Sequence, residues 1–136
     1  MIVAHGIDLV AVERVGALLE RHGSRARDRL FTAAEQAWAE AGGRLRNERY
    51  AGRFAAKEAV AKALGTGIGQ AVEWVDIEVL AAPTGAPQLS LYRGGAKRAE
   101  EIGAASWLVS ISHTEGLAMA SVIGSAAVGP ASSSRP

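Results

Sequence analysis

The apolar and polar positions divide the chain into strand-like and helix-like stretches. Met1-Ile2-Val3-Ala4-His5-Gly6-Ile7-Asp8-Leu9-Val10 is short, apolar and β-branched, which predicts a buried strand bent at Gly6. From Val12 to His22 the spacing becomes helical. Val15, Leu19 and His22 fall on one face, and Arg14, Leu18, Arg21 and Arg25 on another, within an arc of roughly 60° at about 100° per residue. Thr32 and Glu35 form a capping-box pattern, so a second helix should run through Trp38 and stop before Gly42-Gly43. Arg44 to Arg49 is a charged stretch, either a loop or the start of the next helix. The alanine-rich run from Arg53 to Leu64 predicts the strongest helix, closed by Gly65 as a left-handed cap.

Beyond the flexible Gly65–Gly69 segment, Trp74 to Leu80 alternates, with Val75, Ile77 and Val79 on one face, as a half-buried strand does. A turn over Pro83–Pro87 leads to a second strand, Gln88–Tyr92, and the two should make a hairpin. A short helix is expected over Ala96–Ile102. Two more strands follow, Trp107–Ser112 and Leu117–Ile123, joined by a turn at His113–Gly116. The order β-α-α-α-β-β-α-β-β indicates an α+β fold with a mainly antiparallel sheet packed against a long central helix. Residues 1–124 are expected to form a single domain. The Ser/Ala/Gly/Pro-rich stretch 125–136 reads as a disordered tail.

Composition narrows the choice of function. The chain has 136 residues, 49% of them apolar, which is enough for one hydrophobic core. Its 15 basic and 14 acidic side chains nearly cancel, so nothing global pulls it toward nucleic acid or membrane, and charge selection of partners must be local. Without cysteine there is no disulfide, thiol nucleophile or Cys-ligated zinc. No apolar run reaches the roughly 18 residues of a membrane span, and the first eight residues hold no basic signal-peptide region. A soluble, cytoplasmic protein is the expectation.

Four features carry candidate chemistry. Asp8 stands among Ile7, Leu9 and Val10, in a strand where aspartate is disfavoured; it is either a strand-end cap or a carboxylate held rigidly for a cation. Glu58 and Lys62, four residues apart, make either a surface i,i+4 pair or a metal ligand beside a phosphate contact. Mg²⁺ usually takes only one or two carboxylates plus substrate phosphates and water, so Asp8 and Glu58 would suffice. His113, flanked by Ser110, Ser112 and Thr114, is either a solvated turn residue or part of a phosphate-binding turn. The Arg14, Leu18, Arg21, Arg25 stripe is either a solvated face or a dock for an acidic helical partner.

Taken together, Gly6-Ile7-Asp8-Leu9-Val10, Gly52-Arg53-Phe54-Ala55-Ala56-Lys57-Glu58-Ala59, Lys62-Ala63-Leu64-Gly65-Thr66-Gly67 and Val109-Ser110-Ile111-Ser112-His113-Thr114 resemble the holo-acyl-carrier-protein synthase family. The resemblance spans Ile2 to Ile123, keeps the family's motif order and spacing, and is most specific in the FAAKEA block. It implies the 4′-phosphopantetheinyl transferase fold. It also implies transfer of the 4′-phosphopantetheine arm of coenzyme A to a serine of an apo acyl carrier protein, with adenosine 3′,5′-bisphosphate as the other product.

By the family's pattern Asp8, Glu58 and Lys62 are the catalytic group. Asp8 and Glu58 hold Mg²⁺ against the pyrophosphate, and Lys62 contacts the same pyrophosphate and helps the leaving group. Glu58, directly or by way of a water molecule, is the candidate base for the serine proton. His113 and Thr114 match phosphate-contacting positions, and Gly65 and Gly67 would let backbone approach the nucleotide. Pro87 would wall the adenine, with Arg53 and Arg44–Arg46 as candidates for the 3′-phosphate.

The Arg14, Leu18, Arg21, Arg25 stripe matches the surface where the family docks its acidic carrier. The resemblance also implies a homotrimer with active sites between subunits, acting in fatty-acid biosynthesis, with neither nucleic acid nor membrane as partner. The region from Arg25 to Asn47 matches only loosely. Two rivals stand beside this reading: the same chemistry on polyketide or peptide-synthase carriers, and a non-catalytic module that binds a carrier.

Overall fold

The computed structural model describes residues 1–129. The elements follow the expected order: β1 (Ile2–Ala11), α1 (Val12–Leu30), α2 (Ala33–Glu40), α3 (Arg46–Leu64), β2 (Ile77–Ala81), β3 (Pro87–Leu91), α4 (Arg93–Glu101), β4 (Ser106–Thr114) and β5 (Leu117–Ser125). Every strand pairing is antiparallel. The strands divide into two sheets, one ordered β1-β5-β4 and the other the β2-β3 hairpin.

The α3 helix is the centre of the molecule. Ala51, Ala55, Ala56, Ala59, Val60, Ala61 and Leu64 are all fully buried, so sheet, helices and hairpin surround it on most sides. Alanine suits both roles, as a strong helix former with a side chain short enough for close packing. A 3-10 turn at Gly43–Leu45 precedes the helix, which therefore starts at Arg46 and absorbs most of the charged stretch. It ends as predicted at Gly65, in the left-handed conformation with φ 77°.

Several local expectations are corrected. The β1 strand runs through Gly6 without a break; its one irregularity lies between Ile2 and Ala4. Gly6 serves packing instead: a Cβ there would lie 1.9 Å from the carbonyl oxygen of Ala59. Only glycine lets β1 approach α3 so closely.

The first helix continues to Leu30 across a kink at Gly23 (φ 59°, ψ −141°). Val15 and Leu19 are buried as expected, but His22, placed on the same face by spacing, is exposed just before the kink. A 3-10 turn occupies Trp74–Asp76, where Asp76 accepts from the Glu73 N–H, so β2 starts only at Ile77. The α4 helix begins at Arg93, whose guanidinium Nε lies 2.8 Å from Asp76.

The β4–β5 turn is also tighter than predicted. Glu115 (φ 47°) and Gly116 (φ 77°) alone form it, both left-handed as a two-residue hairpin of type I′ requires, and His113 and Thr114 stay in the strand. The β5 strand extends to Ser125, and Ala126 N–H donates to Met1 O at 2.8 Å. The tail expected over 125–136 lies, from Pro130 onward, outside the described residues.

The two faces of the β1-β5-β4 sheet differ. One carries Val10, Ala118, Ala120 and Val122 into the core. The other leaves Ile7, Leu9, Leu108, Leu117 and Met119 between 39% and 69% exposed, an apolar face that no other part of the described residues covers.

Candidate active site

The close approach at Gly6 decides the site, because it sets β1 beside the last three turns of α3. Asp8 follows Gly6 by two residues and therefore points to the same, inner face of the strand. There it meets Lys62, whose ammonium donates to Asp8 Oδ1 and to Ile7 O, each at 3.0 Å. Glu58, one turn earlier on the helix, is half-buried beside them. Burial, and then the neighbouring Asp8 carboxylate, push its pKa up, while Lys62 and Arg14 pull the other way. Lys62 therefore bridges to β1; among the described residues no ion pair joins it to Glu58, so the simple i,i+4 surface pair is not formed.

Two carboxylates held near each other, one of them destabilised as an anion by the other, suit a hard divalent cation. Among the described residues no cluster of three or more His, Asp or Glu is placed to hold a metal ion. A cation bound by two protein carboxylates completes its shell from water and ligand oxygens, as Mg²⁺ characteristically does.

A cleft of about 620 Å³ opens beside Glu58, between α1 and α3. Phe54, Trp74 and Leu18 provide its apolar lining, and the Phe54 and Trp74 rings stack at 5.0 Å. Arg14, His22, Arg25 and Arg29 add basic groups. Three of the four predicted stripe residues (Arg14, Leu18 and Arg25) thus line the cleft; Arg21 is exposed and outside it.

The remaining candidates lie elsewhere. Gly65 caps the helix end, where Arg98 donates to Leu64 O at 2.9 Å. Pro87 starts β3 opposite Ala81. His113 points to the inner face of β4, where its Nε2 lies 3.0 Å from Glu48 O and packs on Gly52. Thr114, next along the strand, points to the other face and is exposed. Arg53 is 6% exposed, with its guanidinium 3.8 Å from the Trp38 ring centre and its Nε buried without a hydrogen-bond partner among the described residues. Burial pushes its pKa down to about 10. On a helix advancing about 100° per residue, Arg53 and Lys62 sit on opposite sides of α3. The predicted residues therefore form two groups in one chain: Asp8, Glu58 and Lys62 together, and Arg53 and His113 apart from them.

The sequence model of the 4′-phosphopantetheinyl transferase superfamily matches residues 4–120, which includes all of these positions. The chain belongs to that superfamily. Among its relatives, the holo-(acyl-carrier-protein) synthase of Brucella ovis is 52% identical over 102 residues, 75% of this chain and 75% of that protein. The crystal structure of the synthase from Neisseria meningitidis superposes with a TM-score of 0.83 at 33% identity, covering 92% of this chain and 99% of that one. The Helicobacter pylori synthase, solved in complex with coenzyme A, gives 0.78 at 30% identity, covering 89% and 99%. The α+β architecture is thus that of the phosphopantetheinyl transferases.

Sequence reasoning missed the cleft's other half. Phe54 and Trp74 look like ordinary core aromatics, and Arg29 escaped because the Gly23 kink re-aims the end of α1. The Gly-Ser pair at 23–24 was the one available signal.

Proposed function

We propose that the chain is a holo-acyl-carrier-protein synthase, which moves the 4′-phosphopantetheine arm of coenzyme A onto a serine of an apo acyl carrier protein. The observation that carries this reading is the Asp8, Glu58, Lys62 group, with Glu58 lining a basic-walled cleft. In the reaction the serine oxygen bonds to the phosphorus that bears pantetheine. The bond from that phosphorus to the bridging oxygen breaks, and the electron pair leaves on adenosine 3′,5′-bisphosphate.

Asp8 and Glu58 are the residues that would hold Mg²⁺, and the raised pKa of Glu58 supports a role for a cation between them. Bound there, Mg²⁺ would supply positive charge against the pyrophosphate. Lys62, 55% exposed, is free to swing from Asp8 to a phosphate oxygen and offset charge on the leaving group. Glu58 takes the serine proton, a task helped by a pKa above that of an ordinary carboxylate.

The cleft docks the carrier. Carrier proteins of this class are acidic helical bundles, and Arg14, Arg25 and Arg29 around Leu18 complement such a partner in charge and shape. The separated group, Arg53, His113, Thr114 and Pro87, belongs to the nucleotide end of a site shared with a neighbouring subunit. The bare apolar sheet face supports a homotrimer, since a contiguous exposed patch of this kind marks an interface. The unpartnered Nε of Arg53 supports a phosphate ligand arriving with assembly.

Incubation with coenzyme A, Mg²⁺ and apo carrier proteins, read by intact mass, tests the reading: one phosphopantetheine adds roughly 340 Da to the carrier. A folded enzyme that leaves fatty-acid, polyketide and peptide-synthase carriers all unmodified sinks it.

A further inference from the structure

We propose that the buried Lys57–Glu35 pair is a positioning device that fixes the walls of the carrier-docking cleft; this rests on the transferase reading for what the cleft binds. Lys57 precedes Glu58 in sequence yet has no exposure at all. All three of its ammonium donors are used. They meet Glu35 Oε1 at 2.6 Å, Trp74 O at 3.1 Å and Ile77 O at 2.7 Å. Glu35 is equally saturated: Thr32 N–H donates to Oε1 at 2.8 Å and Val79 N–H to Oε2 at 2.9 Å.

Two of these bonds, to Trp74 O and from Thr32 N–H, lead toward walls of the cleft. The carbonyl of Trp74 is bonded to Lys57, and the Trp74 ring lines the cleft against Phe54. Thr32 follows Leu30 and Phe31 at the end of α1, so the Glu35 bond to its N–H anchors the segment that carries Arg25, Arg29 and Leu30 into the same cleft. One charged pair therefore ties α3, the end of α1 and the approach to β2 at a single point.

Stability alone does not call for such a pair, because well-packed apolar residues of similar volume usually serve a core at least as well. Apolar side chains cannot hold two carbonyls and two N–H groups in fixed directions. None of the bonds made by Lys57 and Glu35 reaches Glu58 or Lys62, so the chemical group is not the pair's direct target. The width and shape of the cleft are.

The test is the double variant Glu35→Gln/Lys57→Met, which replaces the charges by uncharged side chains of similar length and leaves no lone buried ion. With CoA, Mg²⁺ and an apo acyl carrier protein, KM for the carrier should rise about tenfold, while kcat and KM for CoA stay within about twofold. Biosynthetic labelling with 5-fluorotryptophan gives an independent readout. The Trp74 ¹⁹F resonance, assigned with Trp74→Phe, should shift and broaden while that of Trp107 stays in place.

Trp74→Ala, which removes the wall without touching the pair, should reproduce the rise in carrier KM. This keeps the proposal open to refutation if the double variant does not fold. An unmoved Trp74 resonance with an unchanged carrier KM in the folded double variant overturns the proposal. So does Trp74→Ala with wild-type KM, or a rise confined to CoA. If the wild-type enzyme transfers nothing, the transferase reading fails, and the Trp74 resonance alone then decides whether the pair positions the wall.

Discussion

Lys57 and Glu58 are neighbours in sequence and opposites in environment. Lys57 is sealed among Glu35, Trp74 and Ile77, with burial lowering its pKa and the Glu35 carboxylate opposing that shift. Glu58, about 100° further round the helix, faces the cleft and the β1 carboxylate, and its pKa moves up. One helix thus carries a saturated, buried charge on one face and a cleft-facing charge on the next. In the first every donor is matched to an acceptor; in the second a carboxylate is left partly unmatched, ready for a ligand.

Substitutions should separate the two sides. Glu58→Ala should lower transfer by roughly 10²–10³-fold or more, as loss of a transition-state contact does, with the urea midpoint close to wild type. Normal turnover by this variant removes Glu58 from the metal site and from the chemistry.

Lys57→Met alone leaves Glu35 charged and buried without its partner, and should cost about 3–5 kcal/mol of stability in urea unfolding. A cost near zero would mean that the pair is hydrated or neutral in solution.

Gly6→Ala tests the approach that joins the two regions. Its new methyl group meets the Ala59 carbonyl, so a loss of about 1–3 kcal/mol is expected, with a drop in activity as Asp8 moves away from Glu58. Full activity at reduced stability would show that the site tolerates a wider gap than the close contact implies.

The smallest effect belongs to Arg21→Ala, exposed and outside the cleft. It should raise carrier KM by only a few-fold, roughly one rim charge, and the rise should shrink with added salt. A change in kcat instead would place Arg21 nearer the reacting groups than its position suggests.

Much of this was legible in the chain before any coordinates. The capping box at Thr32 and Glu35, the alanine run ending at Gly65 and the element order all follow from local rules, and all are present. The motif blocks around Asp8, Glu58 and Lys62 were grouped by their resemblance to a family, and the fold places Asp8 and Lys62 within hydrogen-bond distance. Local patterns also left traces of error. Period put His22 on the face of Val15 and Leu19, but at the last residue before the kink that face has reached the cleft and His22 is exposed. A turn of four residues was expected where Glu115 and Gly116 suffice, since glutamate rarely adopts a positive φ.

Which neighbours each charge meets was settled by packing. In sequence Lys62 looked like the partner of Glu58, yet it bonds Asp8, 54 positions away, because Gly6 admits the backbone of α3. Likewise Lys57 looked like one more charge in a helical block, and it became buried because Glu35 and two carbonyls from other elements converge on it. Helix and strand periodicity arise within a few residues, so the elements could be read from the chain alone. Ion pairing and burial depend on distances between remote segments, and those exist only once the chain has packed.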